Sequence, residues 1–185
     1  VQADADQRLT SRDHCGALYI YTGDGKGKTT AALGEALRAV GRGLKVCVLQ
    51  FLKGRETGEV LAAPRLAPEL RLVLLGRPGR MNLKAPAPAD LARLAAGWDL
   101  ARRLITSGEY DLVVLDEINP VLDAGLIPLE EALAVFQGRP PGMTLILTGR
   151  RAPAALIAAA RVVTEMHPVK HYFQGGLRAR RGIEW

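Results

Sequence analysis

Two separated points of this 185-residue chain carry side chains of the types and spacing that handle a polyphosphate. The first is Thr22-Gly23-Asp24-Gly25-Lys26-Gly27-Lys28-Thr29-Thr30. Glycines let the backbone curl tightly, so that successive N–H groups converge on an anion. A helix starting at the loop adds the positive end of its dipole. Lys28 is placed to reach the β- and γ-phosphates of a nucleotide, and Thr29 to complete the shell of a Mg²⁺ ion. Without ligand, Lys28 is expected to be open to solvent. The general phosphate-loop pattern has a glycine five residues before Gly27. Here that position is Thr22, and the glycine comes one residue later, at Gly23. The loop is therefore shorter or differently curled than the general pattern. The competing reading is a glycine-rich hairpin with lysines for solubility. The Lys-Thr-Thr ending, and a strand and a helix on either side, weigh against it.

The second point is Asp116-Glu117, which follows the apolar run Leu112 to Leu115. A carboxylate at such a strand end can reach Mg²⁺ directly or through water. Alone, an acid after an apolar run is weak evidence, since a turn or helix-capping acid looks the same. Arg150 closes Thr148-Gly149-Arg150 after a further apolar run, where a guanidinium meets phosphate as a fork. Arg38 shares the loop's helix but lies more than two turns past Lys28, so spacing alone argues against it. His167 and His171 sit four apart, but Pro168 between them opposes a helical zinc pair, and they read as loop histidines. No Ser–His–Asp or Cys–His arrangement emerges.

These groups need elements to hold them. Apolar runs at Ala17 to Tyr21, Val46 to Phe51, Leu70 to Leu75, Leu112 to Leu115, Met143 to Leu147 and Val162 to Thr164 read as strands. Helical patterns follow Gly27, run from Ala89 to Thr106, from Pro128 to Phe136 and from Pro153 to Ala160. Trp98 repeats in register with Leu91, Leu94, Ala101 and Ile105, so it reads as core and not as a stacking platform. Lys53 to Glu59 reads as a loop. Gly76 to Pro88 is too rich in glycine and proline for regular structure and is a natural substrate loop. Strands alternating with helices imply an α/β fold: an open, mainly parallel β-sheet with helices on both faces, binding ligands at the carboxyl ends of its strands.

Length supports one domain, residues 16–185, with residues 1–15 as a flexible or docking arm. No apolar run is long enough to cross a membrane. Cys15 and Cys47 read as reduced thiols, which implies a cytoplasmic protein. The net charge of +6 comes mainly from dispersed arginines, clustered only at Arg178, Arg180 and Arg181. Without a recognition motif this suits a polyphosphate ligand better than nucleic acid.

Several segments together resemble one family. They are GDGKGKTTAALGEALRAVGRG, VLQFLKG, YDLVVLDEIN, RPPGMTLILTGR, TEMHPVKH and the terminal GIEW. The set is similar to the P-loop ATP:corrinoid adenosyltransferases, from about Gly16 to Trp185, and the shifted Gly23 is a feature of that family's loop. The resemblance implies that a reduced Co(I) corrinoid attacks C5′ of ATP and that tripolyphosphate leaves. It implies ATP binding by Gly23, Asp24, Gly25, Lys26, Gly27, Lys28, Thr29 and Thr30, with Arg150, Asp116 in support, and Arg38. It implies Mg²⁺ on Thr29 and Glu117, an external reductase and a homodimer. Many members carry a Phe and a Trp after the third strand, against the lower face of the corrinoid. Here Gly79-Arg80-Met81-Asn82-Leu83 stands instead. Phe51, Met81 and Leu83 are the corresponding corrinoid candidates. Two other readings stay open: a small-molecule kinase or ATPase on the same loop, and an ATP-dependent corrinoid-binding module without catalysis.

Overall fold

The computed structural model describes residues 16–79, 81–170 and 179–183. The arm at residues 1–15 with Cys15, and also His171, Arg178 and Trp185, lie outside these residues. Six strands form one sheet: β1 (Leu18–Thr22), β2 (Val46–Gln50), β3 (Leu70–Leu74), β4 (Leu112–Asp116), β5 (Thr144–Thr148) and β6 (Val162–Glu165). Their order is β3-β2-β4-β5-β1-β6, and every pairing is parallel.

The continuous apolar runs are explained by burial on both faces. In β2, Val46 and Val48 join Ala32 and Ala36 of α1 (Lys28–Val40) on one face. Cys47 and Leu49 join Leu94 and Trp98 of α3 (Pro88–Thr106) on the other. The second face also takes Leu122 of α4 (Asn119–Asp123), Phe136 of α5 (Leu129–Gln137) and Leu156 of α6 (Ala154–Ala159). Trp98 is core, as its spacing predicts. Its ring meets Phe136 edge-on at 5.9 Å, and its indole N–H donates to Glu131 Oε1 at 2.7 Å. Such an aromatic pair adds roughly 0.5–1.5 kcal/mol beyond area burial. Cys47 is fully buried, and burial pushes its thiol up to about 12.

Three local readings change. β4 runs through Asp116 and β1 through Thr22, because both residues still pair in register, with Gln50 and Glu165. The stretch read as a loop up to Glu59 gives way at Gly58 to a short helix, α2 (Gly58–Ala62). The short helix α4 starts two residues after Glu117, with Ile118 at its N-cap, and has no counterpart in the periodicity.

Among the described residues, 76–88 are irregular until α3 begins at Pro88, and their start is tied to β2, to the loop after it and to the first turn of α3. Leu75 N–H donates to Gln50 O at 2.9 Å and Gly76 N–H to Lys53 O at 3.1 Å. Arg77 Nη2 donates to buried Asp90 at 3.0 Å, and its Nε donates to the same carboxylate. That pairing holds the Asp90 carboxyl below its ordinary value.

Candidate active site

The carboxyl ends of β1, β2, β4 and β5 meet around a pocket of about 440 Å³. Asp24 to Thr30 form one wall. Lys53 and Glu59 come from beyond β2, Glu117 from β4 and Arg150 from β5. Gly182 and Ile183, near the chain's end, complete the lining.

Glycine is required where the loop turns. Gly23 and Gly27 adopt φ of 91° and 121°, which side-chain-bearing residues rarely take. A Cβ on Gly25 would lie 2.7 Å from Met166 O. The backbone after β6 braces the loop from outside. Met166 N–H donates to Thr22 O at 2.9 Å, and Gly25 N–H donates to Met166 O at 2.6 Å. The Gly25 N–H therefore points away from the anion seat, a departure from the expectation that successive loop N–H groups all face inward.

Lys28 also departs from expectation. It is buried, not open, and its ammonium donates to Gly23 O at 2.7 Å and Gly25 O at 2.6 Å. Burial lowers its pKa, opposed by the charge of Glu117.

Asp116 is fully buried and saturated with partners. Its Oδ1 accepts from Thr29 Oγ1 at 2.8 Å and Thr148 Oγ1 at 2.6 Å. Its Oδ2 accepts from Gln50 Nε2 at 3.0 Å and pairs with Lys53 Nζ at 2.8 Å. Glu117 has φ 61°, an uncommon conformation for a non-glycine residue, and its N–H donates to Thr148 Oγ1 at 3.0 Å. Its carboxylate lines the pocket, and burial, then neighbouring Asp116, raises its pKa. Arg150 sits at the rim, exposed, 3.1 Å from Asp24 Oδ1. Buried Asn119 holds the turn beneath it by donating to Gly149 O at 3.1 Å.

Oxygen donors from Thr29, Asp116 and Glu117 thus converge where a cation is already accepted, the ammonium of Lys53. Among the described residues no group of three His, Cys, Asp or Glu could enclose a metal. That donor set suits Mg²⁺, which takes one or two protein oxygens and completes its shell with phosphates and water.

Other candidates are not brought here. Arg38 lies in the last turn of α1 and lines a separate cavity with Tyr19, Glu35 and Asp111. Ten residues of helix at about 1.5 Å each carry it roughly 15 Å from Lys28, so the role in ATP binding implied by resemblance is not supported within this chain. Phe51 is only 3% exposed and belongs to the core, and what surface it has lines a small cavity shared with Leu75, Arg77 and Met81. Met81 packs against that core and Leu83 is half-buried.

Lys53, Gln50 and Thr148 are site residues that sequence reasoning passed over. Only the neighbouring of β2, β4 and β5 brings them to Asp116, and strand order is not written in local pattern.

Residues 14–185 match the family model described as ATP:corrinoid adenosyltransferase BtuR/CobO/CobP. A corrinoid adenosyltransferase of Pseudomonas aeruginosa is 38% identical over all of this chain and 91% of its own length. One from Salmonella typhimurium is 36% identical, over all of this chain and 94% of its own. A tetraacyldisaccharide 4'-kinase of Anaeromyxobacter dehalogenans is 31% identical over 66% of this chain but only 39% of its own length. Among the described residues no helix is long and apolar enough to cross a membrane.

Proposed function

The chain belongs to the ATP:corrinoid adenosyltransferase family, and from that premise we propose how it moves the adenosyl group of ATP to a corrinoid. The triphosphate lies in the loop at Gly23 to Thr30. Lys28 exchanges its two carbonyl partners for phosphate oxygens. Arg150 leaves Asp24 and closes on the triphosphate from the rim.

Thr29 and Glu117 would hold Mg²⁺, with Asp116 fixing Thr29 through its hydroxyl proton. The ion, when bound, neutralises charge on the triphosphate. The substrate's Co(I) attacks C5′ of the ribose, the C5′–O bond breaks, and tripolyphosphate departs with the electron pair. The nucleophile thus belongs to the substrate, so the chain's contribution is positioning and charge. The reading includes an external reductase that prepares the corrinoid, a homodimer and a cytoplasmic setting. It places the corrinoid beside the insert, with Met81 and Leu83 toward its lower face.

The observation that carries this reading is the cation-lined pocket assembled from four strand ends. A kinase reading is favoured only by the partial kinase similarity. Phosphorus NMR after incubation with MgATP and chemically reduced cobalamin separates the readings. Tripolyphosphate is expected. ADP would replace adenosyl transfer by phosphoryl transfer, and unchanged ATP would leave a binding module.

A further inference from the structure

Lys53 occupies an unusual place for a lysine. Its ammonium donates to Thr29 Oγ1 at 3.0 Å, pairs with Asp116 Oδ2 at 2.8 Å and lies 4.0 Å from Glu59 Oε1. Lys28 is turned away into the loop carbonyls, so Lys53 is the cation that faces this acidic cluster most closely. Asp116, Glu117 and Glu59 would otherwise face one another with only partial screening. The hydroxyl proton of Thr29 goes to Asp116 Oδ1. The lone pairs of Thr29 Oγ1 are what a metal would use, and one of them is taken by Lys53.

The main chain under Lys53 cannot follow the side chain. Its carbonyl accepts from Gly76 N–H, and a Cβ on the next residue, Gly54, would lie 2.1 Å from the Arg77 backbone. Only the flexible four-carbon stem is free to swing.

The geometry points to Lys53 as a resident counter-ion of the metal seat: its ammonium competes with a metal for Thr29 Oγ1 and Asp116, and gives way to Mg²⁺ only where a triphosphate offers it another anion. A divalent ion on Thr29 Oγ1 and an ammonium on the same oxygen would exclude each other by charge and by space. The displaced ammonium stays tethered within the pocket it lines, where the nearest new anion is a phosphate oxygen. Metal entry is therefore favourable only when the polyphosphate offers Lys53 a new partner. Lys53 is a positioning residue that makes metal binding conditional on nucleotide. This rests on the reading of Thr29 and Glu117 as the metal seat.

The test is titration of the folded protein with Mn²⁺, following free Mn²⁺ by electron paramagnetic resonance, with and without ATP, each point read against a protein-free solution of the same Mn²⁺ and ATP because ATP itself chelates the ion. Wild type should bind Mn²⁺ alone weakly and far better with ATP. Lys53→Met should bind Mn²⁺ alone at least about tenfold more tightly, one unit of log K, and lose most of the dependence on ATP. Lys53→Arg keeps the charge and should restore weak nucleotide-free binding, which a purely structural role would not require. Lys53→Gln serves if the Met variant does not fold. Nucleotide-free affinity within twofold of wild type in the neutral variant overturns the inference and leaves the metal seat standing. Absence of Mn²⁺ binding to wild type even with ATP overturns both.

Discussion

The hydroxyl of Thr29 donates to Asp116 Oδ1 at 2.8 Å, across 87 positions of sequence. That contact joins the glycine-rich loop to the acidic pair Asp116-Glu117. It leaves Asp116 with four partners and its neighbour Glu117 facing the pocket.

Removing Asp116 should therefore cost structure as well as function. Asp116→Ala strands the Lys53 ammonium and the Thr29, Thr148 and Gln50 groups together. Breaking a buried charge pair from one side costs about 3 kcal/mol, so urea unfolding should show a loss of that order. A loss below about 1 kcal/mol would mean that the network does not organise the strand ends.

Lys28→Ala should abolish useful MgATP binding, with affinity falling at least about 100-fold, or roughly 2.7 kcal/mol. Because Lys28 is buried and bonded to Gly23 O and Gly25 O, the ligand-free protein should also lose stability, by about 1–2 kcal/mol. Calorimetric titration and thermal melting read the two effects separately. Near-normal affinity in a folded variant would remove the loop from the nucleotide site.

Glu117 supplies a pH dependence. Burial and Asp116 raise its pKa above the ordinary 4.5. For an acid so shifted, the unfolded chain ionises first. Its contribution to stability is therefore lost as pH rises from 4.5 through the raised value. Cation binding has the opposite sign, since it needs the ionised form and weakens as pH falls through the same window. Glu117→Gln should bind Mg²⁺-nucleotide more weakly at neutral pH and flatten that acid-side slope. Equal slopes for the two proteins, by calorimetry between pH 5 and 8, would place another group at the metal.

The insert should separate fold from corrinoid binding. Met81 packs against the core that includes Phe51. Met81→Ala should therefore lower stability by about 1–2 kcal/mol, less than a fully buried methionine would. Leu83→Asp should reduce cobalamin affinity at least about fivefold while MgATP affinity holds, as read by optical titration. Unchanged cobalamin affinity would move the corrinoid away from residues 76–88.

Sequence alone determined the local chemistry. Gly-Lys-Thr between strand and helix marks the glycine-rich loop, because the turn at Gly23 and Gly27 takes φ values that favour glycine. Continuous apolar runs alternating with helical periods require parallel strands covered on both faces, and all five pairings are parallel. The core role of Trp98 follows from its spacing. Tertiary structure decided the rest. Lys53 reaches Asp116 because β2 lies beside β4, and Thr148 does so because β5 lies on its other side. Met166 braces Gly25 because β6 pairs with β1. Arg38 is carried away by the rise of its helix, and Phe51 is drawn into the core with Leu94 and Trp98. Local pattern reports which face of an element is buried. Which strands become neighbours, and hence which strand-end side chains meet, is settled only when every face of the sheet is covered at once.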